Sequence, residues 1–317
     1  MNTNKPQQST IHKIREIKLE ALYIDRDYDV LKEIGSGDYG KVILAVHRDT
    51  GSEVALKAVP KATTPTKDFL MEFHYSYFLS PHKNILDTYD VAFETSEHYY
   101  FAQEVAPFGD LSQAVERTNG VGLNERDVKI VVEQISSALE FMHDKELVHR
   151  DVRVKSLPSC PPEVWEAVLL EGYNIEVGSD VWQLAMMVYV CLTTRFPWDK
   201  ADITDPRFTD FVQWHKRKTT RTPKEFRVFS ARLLRLMRRL MELKPTKRYP
   251  VTEVNKYLRD RWLVQRSQRA SSVHPQGDLN GSHVTRSLSC SHLVHPHHRS
   301  DEWMASKSKD DHSLYTD

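Results

Sequence analysis

Residues 28–101 carry short runs in which apolar and polar residues alternate, a pattern typical of β-strands. Gly-rich or Asp-Thr-Gly turns separate these runs, which favours hairpins between neighbouring strands. Residues 69–79 interrupt them with a helical pattern. The sequence therefore predicts a small antiparallel sheet with one helix, and its clearest strands are at 31–34, 42–46 and 54–57.

After Gly109 the spacing of apolar residues changes to the period of a helix. Asn124 is a favourable N-cap residue. The helix that follows it carries one apolar face, made of Val128, Val131, Ile135, Leu139 and Met142. Residues 177–192 and 231–243 predict two more helices, the first apolar enough to be buried. The chain is therefore of the α+β class, with a larger helical part after the sheet.

The two ends differ from this central region. Ile11, Ile14, Ile17 and Leu22 recur at roughly helical spacing, which predicts an N-terminal helical extension over residues 1–27. That helix is expected to pack on the domain that follows; a membrane-surface helix is the alternative. Residues 266–317 are rich in Ser, His, Asp and Lys, which predicts a disordered tail. The histidines of 292–298 have no packed scaffold, so no functional metal site is predicted there.

Composition and charge narrow the function classes. The 317 residues carry 44 basic and 44 acidic side chains, so net charge gives no reason to expect nucleic acid or a membrane surface as a partner. Residues 1–10 lack an apolar signal core, and the longest apolar run is too short to span a bilayer. Three widely spaced cysteines predict no disulfide framework, which favours a reducing, cytoplasmic location.

The first candidate site is a glycine loop. Glycines let backbone amides approach nucleotide phosphates, because no side chain stands in the way. This pattern alone is weak evidence, since an ordinary hairpin can also carry glycines. Here Val42 follows at the expected place, and Lys57 ends the run Val-Ala-Leu-Lys one strand later. The loop consists of Gly35, Ser36, Gly37, Asp38, Tyr39 and Gly40.

A third motif, Leu-Val-His-Arg-Asp at 147–151, completes a set that resembles the signature of protein kinases. Further residues resemble the SH3-domain-binding kinase family: Phe-Pro-Trp-Asp at 196–199, Ala-Pro-Phe-Gly-Asp-Leu at 106–111 and Val-Gln-Trp at 212–214. The resemblance runs over about residues 28–263. It implies a two-lobed protein-kinase fold at 28–265, with an N-lobe at 28–105, a C-lobe at 106–265 and a truncated activation segment.

The resemblance also implies an ATP site and serine/threonine-directed phosphoryl transfer. Lys57 would contact the α- and β-phosphates, and Glu72 would be its carboxylate partner. Gln103 would be the gatekeeper, Glu104 and Ala106 would offer backbone groups to adenine, and Asp110 would reach the ribose. Besides these and the six loop residues, the implied ATP-binding set contains Ile34, Lys41, Val42 and Ala55.

In the larger lobe the resemblance assigns one catalytic and four structural residues. Asp151 matches the catalytic base. Arg150 matches the residue that holds a phosphorylated activation loop in many kinases. Glu163 resembles the Glu of Ala-Pro-Glu, and Arg248 matches its ion-pair partner. Asp180 matches the residue that holds the catalytic-loop backbone.

The chain departs from the kinase pattern directly after Asp151. Position 156 is Ser where kinases have a metal-binding Asn, and no Asp-Phe-Gly occurs downstream. Mg²⁺ is expected for the family, but its ligands are missing here, so no metal ligand is predicted. The ten steps from Asp151 to Pro161 reach about 35 Å when extended, so the lobe can still close. Arg153 also replaces the Lys typical of serine/threonine kinases.

Three interpretations remain open. The chain is an incomplete representative of an ATP-dependent protein kinase, a pseudokinase that acts by binding proteins, or a fragment that folds poorly. The expected partners are a protein substrate or a binding protein. The family name implies an SH3 domain, whose ligands carry P-x-x-P. The tail has only Pro275 and Pro296, so the motif is missing there.

Overall fold

The computed structural model describes residues 10–37, 40–154, 159–166 and 175–264. They form two compact units. The first contains residues 10–110 and 141–149, and the second contains residues 111–140 and 150–264. The predicted disordered tail at 266–317, with its histidines, lies outside the described residues.

A six-stranded sheet with the order β1-β5-β6-β4-β3-β2 forms the first unit. All neighbouring strands are antiparallel except β1 and β5, which are parallel. The predicted α+β class is confirmed, and the three predicted strands lie within β2, β3 and β4. The strands are β1 (Glu20–Ala21), β2 (Tyr28–Gly37), β3 (Gly40–His47), β4 (Glu53–Pro60), β5 (Thr88–Glu94) and β6 (His98–Gln103).

Helices in this unit are the four-residue α1 (Ile24–Asp27) and α2 (Thr66–Leu79). Helix α2 contains the predicted helix at 69–79. Its Phe69 and Phe73 are buried against the aromatic side chains of β6, and the Phe73 and Phe101 ring centroids are 5.7 Å apart. The aromatic packing fixes α2 against the sheet, because such rings bury large apolar areas.

The predicted N-terminal helix was wrong. Residues 10–27 form a 3-10 turn at Thr10–His12, then an extended segment, the short β1, and α1. Ile17 and Leu19 are two residues apart and pack on the same cluster, as expected for an extended chain. Their contacts with the sheet and α2 decide the conformation, since helical spacing is only a weak local preference.

The second unit is helical among its described residues. Helix α4 begins after Asn124, whose side-chain oxygen accepts hydrogen bonds from the amides of Arg126 (2.8 Å) and Asp127 (3.1 Å). Residues 178–192 of α6 are all buried, as the apolar run predicted. The helices are α3 (Leu111–Glu116), α4 (Glu125–His143, whose last turn belongs to the first unit), α5 (Pro162–Glu166), α6 (Val177–Thr193), α7 (Pro206–His215) and α8 (Ala231–Leu240).

Around α6 the second unit builds one apolar core. Trp182 of α6 packs near Trp198, with ring centroids 6.2 Å apart, and near Phe211 of α7. Helix α8 adds Leu233, Leu236 and other apolar residues to the same core. Within the described residues, no helix combines the length and apolar character needed to cross a bilayer.

Candidate active site

One face of the first unit's sheet collects residues of the predicted nucleotide site. Directly opposed residues of paired strands share a face, and so do residues two apart on one strand. Gly35 pairs with Val42, Val42 pairs with Lys57, and Ala55 pairs with Gln103. Since Ala55 and Lys57 are two apart on β4, all five residues lie on the same face.

The glycine loop joins β2 to β3. Gly40 has φ +131°, and a Cβ at this position would lie 2.2 Å from the carbonyl oxygen of Ala58. Only glycine fits without a backbone shift, because both the conformation and the space exclude a side chain. Ser36 pairs with Lys41 just before the tip, and Ile34 on β2 is exposed. Asp38 and Tyr39 of the predicted loop lie outside the described residues.

Lys57 and Glu72 form an ion pair between β4 and α2. Both side chains are largely buried, with 12% and 18% of their surface exposed. Burial raises the pKa of the Glu72 carboxyl above its ordinary value, although the Lys57 ammonium opposes the rise. The ammonium also lies 5.9 Å from the ring centroid of Phe101. The pair is therefore a desolvated charge pair that depends on the packing of α2.

The segment after β6 is tied to the loop that leads into β5. The side-chain amide of Gln103 donates a hydrogen bond to the Thr88 hydroxyl at 3.0 Å. The backbone amide of Glu104 donates to the carbonyl of Asp87 at 2.9 Å. The Glu104 carboxylate in turn accepts from the backbone amide of Asp87 at 3.0 Å. If Glu104 contacts adenine, it does so through its carbonyl. The other two predicted residues here are the half-buried Ala106 and the exposed Asp110.

In the second unit, α6 holds the backbone on both sides of Asp151. Arg150 has φ +68°, a left-handed conformation that costs about 1–2 kcal/mol in a residue other than glycine. Its amide donates to the buried Asp180 carboxylate at 2.6 Å. The Gln183 side chain donates to the Arg150 carbonyl at 3.0 Å and accepts from the Val152 amide at 2.8 Å. These bonds offset the backbone strain and fix the loop.

Asp151 lies in this fixed loop with its carboxylate in an ion pair with Arg153. The partner comes from the short segment that stands in place of the metal-binding motifs. Both side chains are partly exposed. The contact places a cation on the carboxylate that the resemblance assigns as the base.

Glu163 of α5 and Arg248 form a two-bond ion pair, with distances of 2.6 and 2.7 Å. Arg248 also donates to the carbonyls of Gly178 (3.0 Å) and Glu242 (2.8 Å), and its side chain is completely buried. Because each of the three guanidinium nitrogens donates at least one hydrogen bond, the pair can be stable in the interior. It ties α5 to the start of α6.

Two residues that sequence reasoning did not assign have clear positions. In the sequence, Gln183 is a polar position within the apolar stretch at 181–192. Its spacing of three from Asp180 puts both on one helix face, which is the signal that could have identified it. His74 on α2 binds the N-terminal segment through both ring nitrogens. No local pattern marks it, because its partners are far away in the sequence.

The residues present fit ATP and do not fit Mg²⁺. The glycine-containing ends of β2 and β3, together with the Lys57–Glu72 ion pair, suit a triphosphate. For the metal, the described residues contain no group of three His, Cys, Asp or Glu side chains that could hold an ion. The two motifs that supply the ligands in kinases are missing from the sequence.

Comparison with known proteins places this geometry in a family. The protein kinase domain family matches residues 28–157. Serine/threonine-protein kinase meng-po of Drosophila melanogaster is 36% identical over 86% of this chain and 67% of its own length. Serine/threonine-protein kinase SBK1 is 35% identical in Danio rerio, over 83% of this chain and 76% of that protein. The mouse SBK1 is 36% identical, over 83% and 71%.

The alignment with the fly kinase also indicates that this chain lacks residues that its relative has. The alignment with the fly kinase runs over 309 positions but uses 86% of the 317 residues, so roughly three dozen of its positions have no counterpart here. The kinase-domain match ends at residue 157, between Asp151 and Glu163. The sequence, the fold and these relatives agree: the chain belongs to the serine/threonine-type protein kinases, among the SH3-domain-binding kinases.

Proposed function

We propose that this chain binds ATP through its first unit and transfers phosphoryl groups to protein serine or threonine poorly or not at all. The observation that carries the proposal is the contrast between two charge pairs. Lys57 and Glu72 are paired as a phosphate site needs. Asp151 is paired with Arg153, in a segment that has lost the metal-binding motifs.

In the proposed ATP site, the backbone amides of the glycine loop approach the phosphates, and Lys57 contacts the α- and β-phosphates. Glu72 orients Lys57. Val42 and Ala55, on the same face of the sheet, cover the adenine. The Glu104 carbonyl and the Ala106 amide are proposed to bind its edge. Asp110 is proposed to bind the ribose. Bound ATP would supply the γ-phosphoryl group.

The second half of the proposal follows from the chemistry of phosphoryl transfer. The reaction depends on positioning and on stabilising negative charge, and metal ions carry much of that stabilisation. Loss of one preorganised charge-stabilising group costs on the order of 3 kcal/mol, or about a hundredfold in rate. This chain lacks the Asn and the Asp-Phe-Gly that hold the metal ions. Its Asp151 carboxylate is held by Arg153.

The test is a thermal-shift titration of the purified chain with ATP, with and without Mg²⁺, followed by a phosphorylation assay on a generic protein substrate. The expected result is a shift that does not depend on Mg²⁺, together with little or no phosphorylation. Strong Mg²⁺-dependent phosphorylation that Asp151→Asn abolishes would overturn the impaired-transfer proposal. Absence of any ATP-induced shift in a folded chain would overturn the ATP-binding proposal.

A second candidate function is a protein-binding scaffold without nucleotide. The observation in its favour is that the Glu163–Arg248 and Asp180–Arg150 contacts form without the missing segment. Cooperative unfolding with no ATP response would select this function. The family name implies an SH3 partner, and the single P-x-x-P of the sequence, at 158–161, falls within the predicted kinase domain at 28–265. For either function we propose a cytoplasmic location, to be checked by cell fractionation.

A further inference from the structure

The N-terminal segment is bound to α2 through His74. The amide of Arg15 donates to His74 Nδ1 at 3.1 Å, which leaves the ring proton on Nε2. Nε2 then donates to the carbonyl of Ile11 at 2.7 Å. The imidazole is only 2% exposed, so both bonds are shielded from water. One buried side chain of α2 therefore fixes two backbone positions of a segment about sixty residues earlier.

The Arg15 side chain extends this attachment to the sheet. Its guanidinium forms an ion pair with Asp90 of β5, and one of the two hydrogen bonds is 3.1 Å long. The same group lies 5.9 Å from the Phe73 ring centroid and 5.4 Å from that of Tyr77, both on α2. Arg15 thus bridges α2 and β5 by charge and by cation–π contact.

Apolar contacts continue along the segment. Ile17 and Leu19 pack on a cluster that contains Phe69 and Phe73 of α2 and Phe101 of β6. The segment then pairs with β5 as β1. Phe101 is also the ring nearest the Lys57 ammonium. The residues that receive the N-terminal segment are therefore in direct contact with the proposed phosphate site.

Glu72 and His74 hold opposite sides of the same helix. Residues two apart on an α-helix point about 200° apart. Glu72 is directed to Lys57 on β4, and His74 is directed to the N-terminal segment. Burial disfavours the Glu72 carboxylate, so the ion pair requires α2 to stay packed against the sheet. The contacts of His74 with the N-terminal segment add to the aromatic packing that holds α2 on the sheet.

We propose that residues 11–21, the N-terminal clamp, hold α2 so that Glu72 stays against Lys57, and that releasing the clamp weakens ATP binding. The effect on ATP rests on the proposed function. The effect on α2 is independent of the proposed function, because the clamp and the helix are in contact whether or not ATP binds.

The first experiment measures amide hydrogen exchange of α2 without nucleotide in the unmodified chain and in Arg15→Ala. Arg15 is partly exposed, so its loss opens no core cavity. The matched control is Arg48→Ala, which removes a comparable exposed ion pair between the residue after β3 and Asp29 of β2, away from α2. Exchange in α2 is expected to accelerate several-fold in Arg15→Ala and to stay unchanged in Arg48→Ala. Equal protection of α2 in all three proteins would overturn the clamp.

The second experiment measures ATP affinity of the same proteins by calorimetry. If α2 is correctly placed in only a fraction of the released molecules, the dissociation constant rises by the inverse of that fraction; we expect about threefold to tenfold for Arg15→Ala. His74→Gln can still donate to the Ile11 carbonyl and is expected to lie between the unmodified chain and His74→Ala. Faster exchange in α2 with unchanged ATP affinity would overturn the link to the nucleotide site. If the unmodified chain binds no ATP, the proposed function fails, and hydrogen exchange alone decides the clamp.

Discussion

The predicted site residues fall into two groups, the Lys57 half in the first unit and the Asp151 half in the second, and the two keep the kinase pattern to different extents. Around Lys57 and Glu72 the sheet register, the glycine turn and the buried ion pair are all present. Around Asp151 the supporting contacts from α6 are present, but the segment that follows is short and its Arg153 pairs with the proposed base. The comparison teaches that the framework of a kinase lobe and its metal chemistry depend on separate residues.

The Asp151 loop shows why this separation is possible. Its conformation is fixed by Asp180 and Gln183, which belong to α6, and α6 is anchored through Gly178 to Arg248 and Glu163. None of these residues lies within 152–162, the segment that lacks the metal-binding motifs, and the one bond that involves this segment uses the backbone amide of Val152. Removing metal ligands from that segment therefore leaves the bonds that shape the loop intact.

The largest effect is expected when the framework itself is broken. Arg248→Ala leaves the Glu163 carboxylate in a partly buried position without its cation, which should lower the free energy of unfolding by about 3–5 kcal/mol. Urea denaturation measures the loss. Arg232→Ala is the control: it removes a more exposed ion pair with Asp260 and should cost about 1 kcal/mol or less. Similar losses in the two variants would show that the buried pair is not what holds the second unit together.

The nucleotide half is tested by Lys57→Met. Removing the cation that we propose to contact phosphate should raise the ATP dissociation constant by about tenfold or more, because hydrogen bonds to charged groups contribute about 1.5–3 kcal/mol. Lys61→Met is the matched control on the same sheet: Lys61 pairs with Glu94 at 2.8 Å and lies over Tyr99. Calorimetry compares the two. Equal weakening by both variants would place ATP somewhere other than the Lys57–Glu72 pair.

A pH prediction concerns the stability of the His74 contacts that attach α2 to the N-terminal segment. Burial lowers the pKa of His74 below its ordinary value of 6.5, and Coulombic interactions with Arg15 and His12 act in the same direction. The hydrogen bond to the Ile11 carbonyl opposes this shift. The other groups near the ring are the aromatic side chains of Tyr75 and Phe78 on α2. Asp90 of β5 forms an ion pair with Arg15. The unfolded chain therefore takes up the proton first as the pH falls.

This uptake makes folding less favourable as the pH falls through about 6.5. Thermal unfolding is expected to occur at lower temperature near pH 5.5 than near pH 7.5, with faster exchange in α2. His74→Gln does not titrate and should lose this part of the pH dependence. Indistinguishable pH profiles for the variant and the unmodified chain would remove His74 from the account.

The smallest effect is predicted for Ser156→Asn. The change restores one of the two metal-binding positions by sequence, but the Asp-Phe-Gly remains missing. We expect no gain in phosphorylation and no new Mg²⁺ dependence of the ATP-induced thermal shift. A clear gain would mean that the catalytic half lacks one residue only, and the contrast between the halves would then be smaller than we infer.

Local sequence was sufficient to predict an element wherever that element is specified by its own residues. Asn124 marks the start of α4, the apolar run at 181–192 lies within the buried α6, and Gly40 is required by its own backbone conformation. It failed for residues 11–22, whose helical spacing is outweighed by contacts with α2 and β5. The same reason explains why His74 and Gln183 went unassigned: their roles consist of contacts with distant residues.

The sequence by itself determined the family, the strand and helix periods, and the loss of the metal-binding motifs, because each of these is written in residue types at fixed spacing. Only the tertiary structure decided the pairing of Asp151 with Arg153, the second support of the loop by Gln183 and the path of the N-terminal segment along α2. These depend on which distant side chains meet, and that is set by the packing of the whole unit, which outweighs local preferences.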